Sequence, residues 1–151
     1  MLIVFSLQHY GQSLQTSSAL NDFLNDNEKR KKPALSRQES LALSLEMQAE
    51  RTRILLDAIE TGRTDDIKKS SDPDARQMFL ATVSARVLDK ACIDHQLAEE
   101  ELSFACRFYK IDQEPAFQNK VQEDYIAICT KKMEASAAAE TAASTATLQT
   151  E

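Results

Sequence analysis

The sequence predicts an all-α fold: a small bundle of three to four helices with an extended N-terminal arm and a flexible C-terminal tail rich in Ala, Ser and Thr. Glycine occurs only at Gly11 and Gly62, too rarely for the tight hairpins of a β-protein or for phosphate-binding loops. Apolar residues recur at helical spacing through the middle of the chain. Each of the three prolines, Pro33, Pro73 and Pro115, lies where a helix is predicted to start.

The composition of the 151-residue chain suits one folded domain. It is 42% hydrophobic and 28% charged, which provides enough apolar surface for a sizeable core. The net charge of −6 disfavours nucleic acid as a general partner, because affinity for a phosphate backbone needs a concentrated basic face. The odd number of cysteines within predicted helices is typical of reduced thiols, so we expect a cytoplasmic protein, with the nucleus as the alternative location.

The charge pattern divides the chain into three segments. Residues 1–32 form an N-terminal arm with an apolar start and a basic linker, and residues 33–134 form the helical domain. Residues 135–151 are mostly Ala, Ser and Thr and are predicted to be flexible, with an alanine helix as the weaker alternative. The apolar start is too short to cross a bilayer and lacks the positive flank of a secretory signal, so membrane insertion is not expected.

The first helix of the domain is predicted to cover residues 37–61. Ser36 and Glu39 have the spacing of a capping box, in which the two residues exchange hydrogen bonds with each other's backbone. Gly62 follows where a helix end favours a left-handed residue. The helix carries an apolar stripe with two polar interruptions, formed by Leu41, Leu45, Gln48, Thr52, Leu55 and Ile59.

A polar connector over residues 63–71, with room for one helical turn, leads to a second predicted helix from Ala75. Its apolar pattern continues to Phe108, but Asp94 falls inside the apolar arc, which predicts a break or change of face near residues 92–94. A last helix is predicted to start at Pro115. Its apolar face consists of Phe117, Val121, Tyr125, Ile128 and Cys129.

The most reactive cluster in the sequence is Cys92, His95, Glu99 and Cys106. On one continuous helix this spacing places thiol, imidazole and carboxylate on one side, where they can meet a soft or borderline metal ion. A single helix rarely supplies every ligand of a tetrahedral site, and no C-x-x-C pair accompanies the cluster. We therefore expect no metal and no cofactor, and treat Cys92, His95 and Glu99 as weak metal candidates.

No catalytic residue is predicted. General acid–base catalysis most often uses histidine, and the two histidines, His9 and His95, lie far apart in the chain and in no recognised motif. We therefore expect a protein that is not an enzyme. A metal-dependent or thiol enzyme centred on Cys92 is the least favoured alternative.

A basic patch closes the N-terminal arm: Lys29, Arg30, Lys31 and Lys32. This run before Pro33 resembles a short nuclear-import signal and would attract phosphate or an acidic partner, but a solvated linker between helices is the favoured interpretation. Leu35, Arg37 and Ser40 have a spacing that basophilic kinases accept, which makes Ser40 a candidate phosphosite. The simpler interpretation places Ser40 in the first turn of the helix with no such role.

The sequence favours a non-catalytic protein–protein interaction module, an adaptor or small structural subunit whose partner is another protein or a multi-subunit assembly. An apolar stretch left in water is adhesive, so the start of the chain either packs on the body or docks into a partner. The alternative is a nuclear regulatory or nucleic-acid-associated protein that uses the basic patch. The candidate partner-binding residues are Leu2, Ile3, Val4, Phe5, Leu41, Leu45, Leu55 and Ile59.

Overall fold

A computed structural model describes residues 32–148, and this part of the chain is mostly helical and has no strand. The all-α prediction is confirmed for these residues, whereas residues 2–5 and 29–31, which carry predicted partner and basic sites, lie outside them. None of the helices within the described part carries an apolar stretch that could cross a membrane. The five α-helices are α1 (Arg37–Glu60), α2 (Arg63–Lys69), α3 (Ala75–His95), α4 (Glu99–Phe108) and α5 (Pro115–Leu148).

The start and end of α1 follow from local signals. The Ser36 hydroxyl accepts a hydrogen bond from the Glu39 backbone N–H at 3.1 Å, and the Glu39 carboxylate accepts one from the Ser36 N–H at 2.8 Å. Because this bond favours the ionised form, it lowers the pKa of Glu39. At the other end Gly62 has a φ of +74°, the left-handed conformation that ends the helix and that glycine adopts at little cost.

The described part has five α-helices, one more than the upper number predicted. The polar connector forms the short helix α2, and the second predicted helix is interrupted at Gln96, which has a φ of 52°. The predicted break near residues 92–94 therefore lies a few residues later. A 3-10 turn, Ile111–Gln113, then leads into α5.

Helix α1 lies at the centre of the packing, and α2, α3, α4 and α5 all contact it. One core cluster joins three helices through Leu43 of α1, Leu88 of α3 and Leu102 of α4. Ile111 and Phe117, which follow α4 in the chain, are also buried. Burial of these side chains provides the main stabilising contribution, at about 1.5 to 3 kcal/mol for each large apolar side chain.

The C-terminal segment differs from its prediction. Residues 135–148 continue α5 as a helix, in place of the flexible tail expected from composition, and the weaker alternative of an alanine helix matches this geometry. Alanine has the highest helix propensity, and a helix that is already folded extends without a new nucleation cost. Every side chain of residues 136–147 is exposed, so this part of α5 leaves the packed body.

The capping box gives the first prediction. Ser36→Ala removes the oxygen that accepts the Glu39 N–H, and we expect it to lower the free energy of unfolding by about 1 kcal/mol. Urea denaturation followed by circular dichroism measures this change. Ser71→Ala, at an exposed position before α3, serves as the control and should leave the midpoint unchanged. Equal midpoints for the two variants would show that the box does not stabilise α1.

Candidate functional site

A row of polar side chains on α1 faces the rest of the bundle. Ser40, Ser44, Gln48 and Thr52 recur every four residues and are all buried. Because residues four apart lie on one side of a helix, they form a continuous line along it. We call these four residues, together with Asp124 of α5, the polar seam. Their burial shows that the inner face of α1 is only partly apolar.

Asp124 is the centre of the polar seam and is only 5% exposed. Its Oδ2 accepts hydrogen bonds from Thr52 Oγ1 at 2.9 Å and Gln48 Nε2 at 3.2 Å, and Oδ1 lies 2.7 Å from Lys120 Nζ. A buried carboxylate is tolerated only when donors replace its water. These three donors do so, and the two from α1 fix α5 against that helix.

The sequence did not single out Asp124. A signal was nevertheless present, because Gln48 and Thr52 interrupt an apolar stripe four residues apart, which indicates a polar partner on a facing helix. The sequence does not show which acid is that partner, since Asp124 is 72 residues from Thr52.

The predicted partner-binding stripe of α1 lies largely against its own chain. Ile59 is buried, while Leu41, Leu45 and Leu55 are half-buried. The buried face of the helix is centred closer to Ser40, Ser44 and the neighbouring Leu43 than to the predicted leucines. Little of the predicted stripe is left for a second protein to contact.

The candidate phosphosite Ser40 is fully buried, and its hydroxyl donates to the Ser36 carbonyl at 2.7 Å. A kinase reaches this hydroxyl only if the start of α1 opens, so the folded chain disfavours modification there. Of the basic patch, only Lys32 belongs to the described residues, and it is exposed.

The structure does not assemble the weak metal candidates. Their spacing requires a continuous helix, but the chain turns at Gln96 between His95 and Glu99. His95 Nε2 instead lies 3.0 Å from the Glu46 carboxylate of α1. Within residues 32–148 no group of three or more His, Cys, Asp or Glu side chains is arranged to hold a metal ion.

The thiols on α3 and α4 pack against the core. Desolvation raises the pKa of Cys92, and the nearby Glu99 carboxylate raises it further. Desolvation also raises the pKa of Cys106, although its contact with Ser44, with 3.4 Å between Sγ and Oγ, partly opposes this effect. A raised pKa reduces the thiolate fraction at neutral pH, which is the opposite of what a nucleophilic cysteine needs.

The side of α5 that faces away from the bundle carries large apolar side chains. Tyr125, Ile126 and Met133 are 48%, 57% and 66% exposed, and Cys129 between them is half-buried. We call these four residues the outer face of α5. Met133 lies nine residues after Asp124, about 180° around the helix at 100° per residue, so the outer face is directly opposite the polar seam.

The outer face only partly follows the prediction for this helix. Of the predicted apolar residues, Phe117 is buried, Val121 and Ile128 are half-buried, and Tyr125 lies at the edge of the outer face. Ile126 and Met133 were not predicted as site residues. Their heptad spacing was the signal available in the sequence.

Two charged side chains of α5, Lys132 and Glu140, lie close to Met133 along the helix. Lys132 precedes Met133, and Glu140 follows it by seven residues. Both side chains are exposed, and neither belongs to an ion pair within the described residues. The outer face therefore combines an apolar section with a base and an acid that remain available to a partner.

A second surface feature is an open groove between α1 and α3. Its floor is formed by Met47, Val87 and Ala91. Its rim carries charges of both signs, including Glu50 and Arg53, which pair with each other at 2.8 Å. Because Glu50 and Arg53 already pair with each other, they are less available to a partner than the charges beside the outer face.

Comparison with known proteins finds no relative: no family model and no curated protein matches the sequence, and no solved structure matches the fold. The function must therefore be inferred from the residues of this chain. Among them, the outer face of α5 is the strongest candidate site.

The polar seam gives the second prediction. Asp124→Ala leaves Gln48 and Thr52 without their acceptor and Lys120 without its partner, and we expect it to lower the free energy of unfolding by about 3 kcal/mol. Chemical denaturation measures the loss. Asp94→Ala is a matched control, because Asp94 pairs with Lys90 at the same four-residue spacing but at the surface. It should cost less than about 1 kcal/mol. Similar losses for the two variants would contradict the role given to Asp124.

The core-facing thiols give the third prediction. In the folded protein at pH 7 we expect iodoacetamide to alkylate Cys92 and Cys106 more slowly than in the urea-unfolded chain, because burial raises the pKa of each thiol and shields it. Peptide mass spectrometry over time gives the rate at each cysteine, and the rates should increase as the pH is raised towards 9. Rapid alkylation of Cys92 at pH 7 would instead restore the thiol-enzyme alternative.

Proposed function

We propose that this chain is a non-catalytic protein–protein interaction module, an adaptor or small structural subunit of a larger assembly, which binds its partner through the outer face of α5. The observation that carries the proposal is the exposure of Ile126 and Met133 on a helix whose opposite side is packed on the body. Large apolar side chains grouped on one exposed face are typical of binding surfaces.

The spacing of the outer face suits a helical or groove-shaped partner. Ile126, Cys129 and Met133 occupy positions i, i+3 and i+7, so a single partner element can contact all three at once. Tyr125 widens the face at its edge and brings a hydroxyl, whose contact with Cys129 raises the pKa of Tyr125. An amphipathic tyrosine beside aliphatic anchors is a common composition of protein interfaces.

The body holds the first part of this face in position. Asp124 and Phe117 fix the rotation of α5, so Ile126 points away from the bundle before any partner arrives. Preorganisation of this kind reduces the conformational entropy lost on binding. The exposed continuation of α5 beyond Met133 then extends the surface as a helix that projects from the body.

The fourth prediction tests this function. We expect Ile126→Glu combined with Met133→Glu to abolish capture of at least one protein by the tagged full chain from lysate of its native cells. The purified partner should bind this variant more than about tenfold more weakly than the original chain, because two charges replace the apolar anchors. Isothermal titration calorimetry measures the affinity, and circular dichroism checks that the variant is folded.

Met78→Glu is the matched control, since Met78 is similarly exposed but lies on α3. It should retain both the captured protein and its affinity. Equal capture by all three chains, or no specific capture by any of them, would contradict the proposed function.

A further inference from the structure

We propose that the partner on the outer face is a second copy of this chain, with the two α5 helices antiparallel and crossing at Ser136. This inference rests on the proposed function, because it names the occupant of the same face. Its basis is the distribution of size and charge along α5, which is complementary to itself when the direction of the helix is reversed.

Side-chain size changes along α5 at Ser136. The heptad line of the outer face runs through Ile126, Cys129 and Met133 and continues through Ser136 and Glu140. Large residues lie before Ser136, and most residues after it are alanine, serine or threonine. When two helices run antiparallel about Ser136, the large side chains of one copy lie level with small ones of the other. On the contact line, Met133 then lies between Ser136 and Glu140 of the other copy, Cys129 is level with Ala143, and Ile126 lies between Ala143 and Thr147.

Opposite charges lie at equal distances from Ser136 along α5. Lys132 and Glu140 lie four residues on either side of Ser136 and are about 12 Å apart along the axis. In the antiparallel pair each lysine comes level with the glutamate of the other copy, and two symmetric ion pairs form. In a parallel pair the two Glu140 carboxylates face each other on the contact line, where like charges repel. Charge therefore favours the antiparallel direction and a register centred on Ser136.

The outer face is accessible to a second helix. In this register residues 124–148 of the two helices overlap, over about 37 Å. The body contacts the opposite side of α5, through Phe117 and Asp124, so the second helix reaches the outer face without displacing the core. The same patch of each copy forms both halves of the contact, as expected for a two-fold dimer.

The mass of the full chain in solution is the first test. We expect light scattering after gel filtration at micromolar concentration to give twice the chain mass of 16.9 kDa. Met133→Glu should shift the protein to a monomer, and Met78→Glu should leave the dimer intact. Both side chains are exposed, so neither change threatens the core. A dimer that persists in Met133→Glu would overturn the proposal.

Charge reversal tests the register. Lys132→Glu alone and Glu140→Lys alone should each weaken the dimer by about tenfold or more in analytical ultracentrifugation. A mixture of the two single variants should restore it, because every contact then joins opposite charges. The double variant within one chain should also restore it. Additive weakening in the double variant would overturn the antiparallel register.

Cross-linking tests the direction. Ala143→Cys should form a disulfide with Cys129 of the other copy when the full chain is oxidised with diamide, and mass spectrometry should identify a peptide pair that joins position 129 to position 143. A parallel dimer would instead join Cys129 of one copy to Cys129 of the other, and that product would overturn the proposal.

The outcomes for the two proposals are distinguishable. A chain that stays monomeric at about 100 μM, far above the usual range for specific assembly, overturns the self-association but not the proposed function. The function survives in that case if Ile126 and Met133 are needed to bind a different protein. If the unaltered chain neither self-associates nor captures a specific partner, both proposals are overturned.

Discussion

The arrangement of the helices depends on one buried carboxylate. Asp124 accepts hydrogen bonds from Gln48 and Thr52 of α1 and pairs with Lys120 on its own helix. Removing a charge from water is costly, and the cost is offset only where all its donors are in place. Apolar contacts tolerate small rotations of a helix, but this carboxylate does not. It therefore fixes both the rotation of α5 about its axis and its axial position relative to α1. Phe117 packs in the orientation that results.

That rotation determines which residues of α5 remain in water. At about 100° per residue, a helix that turns Asp124 inward turns Ile126 and Met133 outward. The polar seam and the outer face are thus opposite sides of one helix, and the first determines the second. This link explains why a polar residue is found in the core while isoleucine and methionine are exposed. Hydrophobic burial alone would favour the opposite orientation of the helix.

Features encoded by neighbouring residues could be predicted from the sequence, and features that depend on distant contacts could not. The capping box at Ser36 and the left-handed Gly62 involve residues within a few positions of each other, so their patterns were sufficient. The metal hypothesis assumed a continuous helix through Gln96, where the chain turns. The burial of Asp124 depends on donors more than seventy positions away, so no local pattern distinguishes it from an exposed acid. The composition of residues 135–151 suggested a flexible tail, because composition alone takes no account of the helix that precedes this segment.

The length of α5 connects the fold to the proposed dimer. Residues 136–147 are helical although none of their side chains is buried within the chain. Alanine propensity and the folded helix before them lower the cost of this segment, but isolated helices of this length are only marginally stable in water. A second helix along the outer face would supply the missing packing, because small side chains allow close approach and Ile126, Cys129 and Met133 fill the space between the helices. Residues 136–147 add the least packing to the body, so a partner helix would add the most stability to this segment.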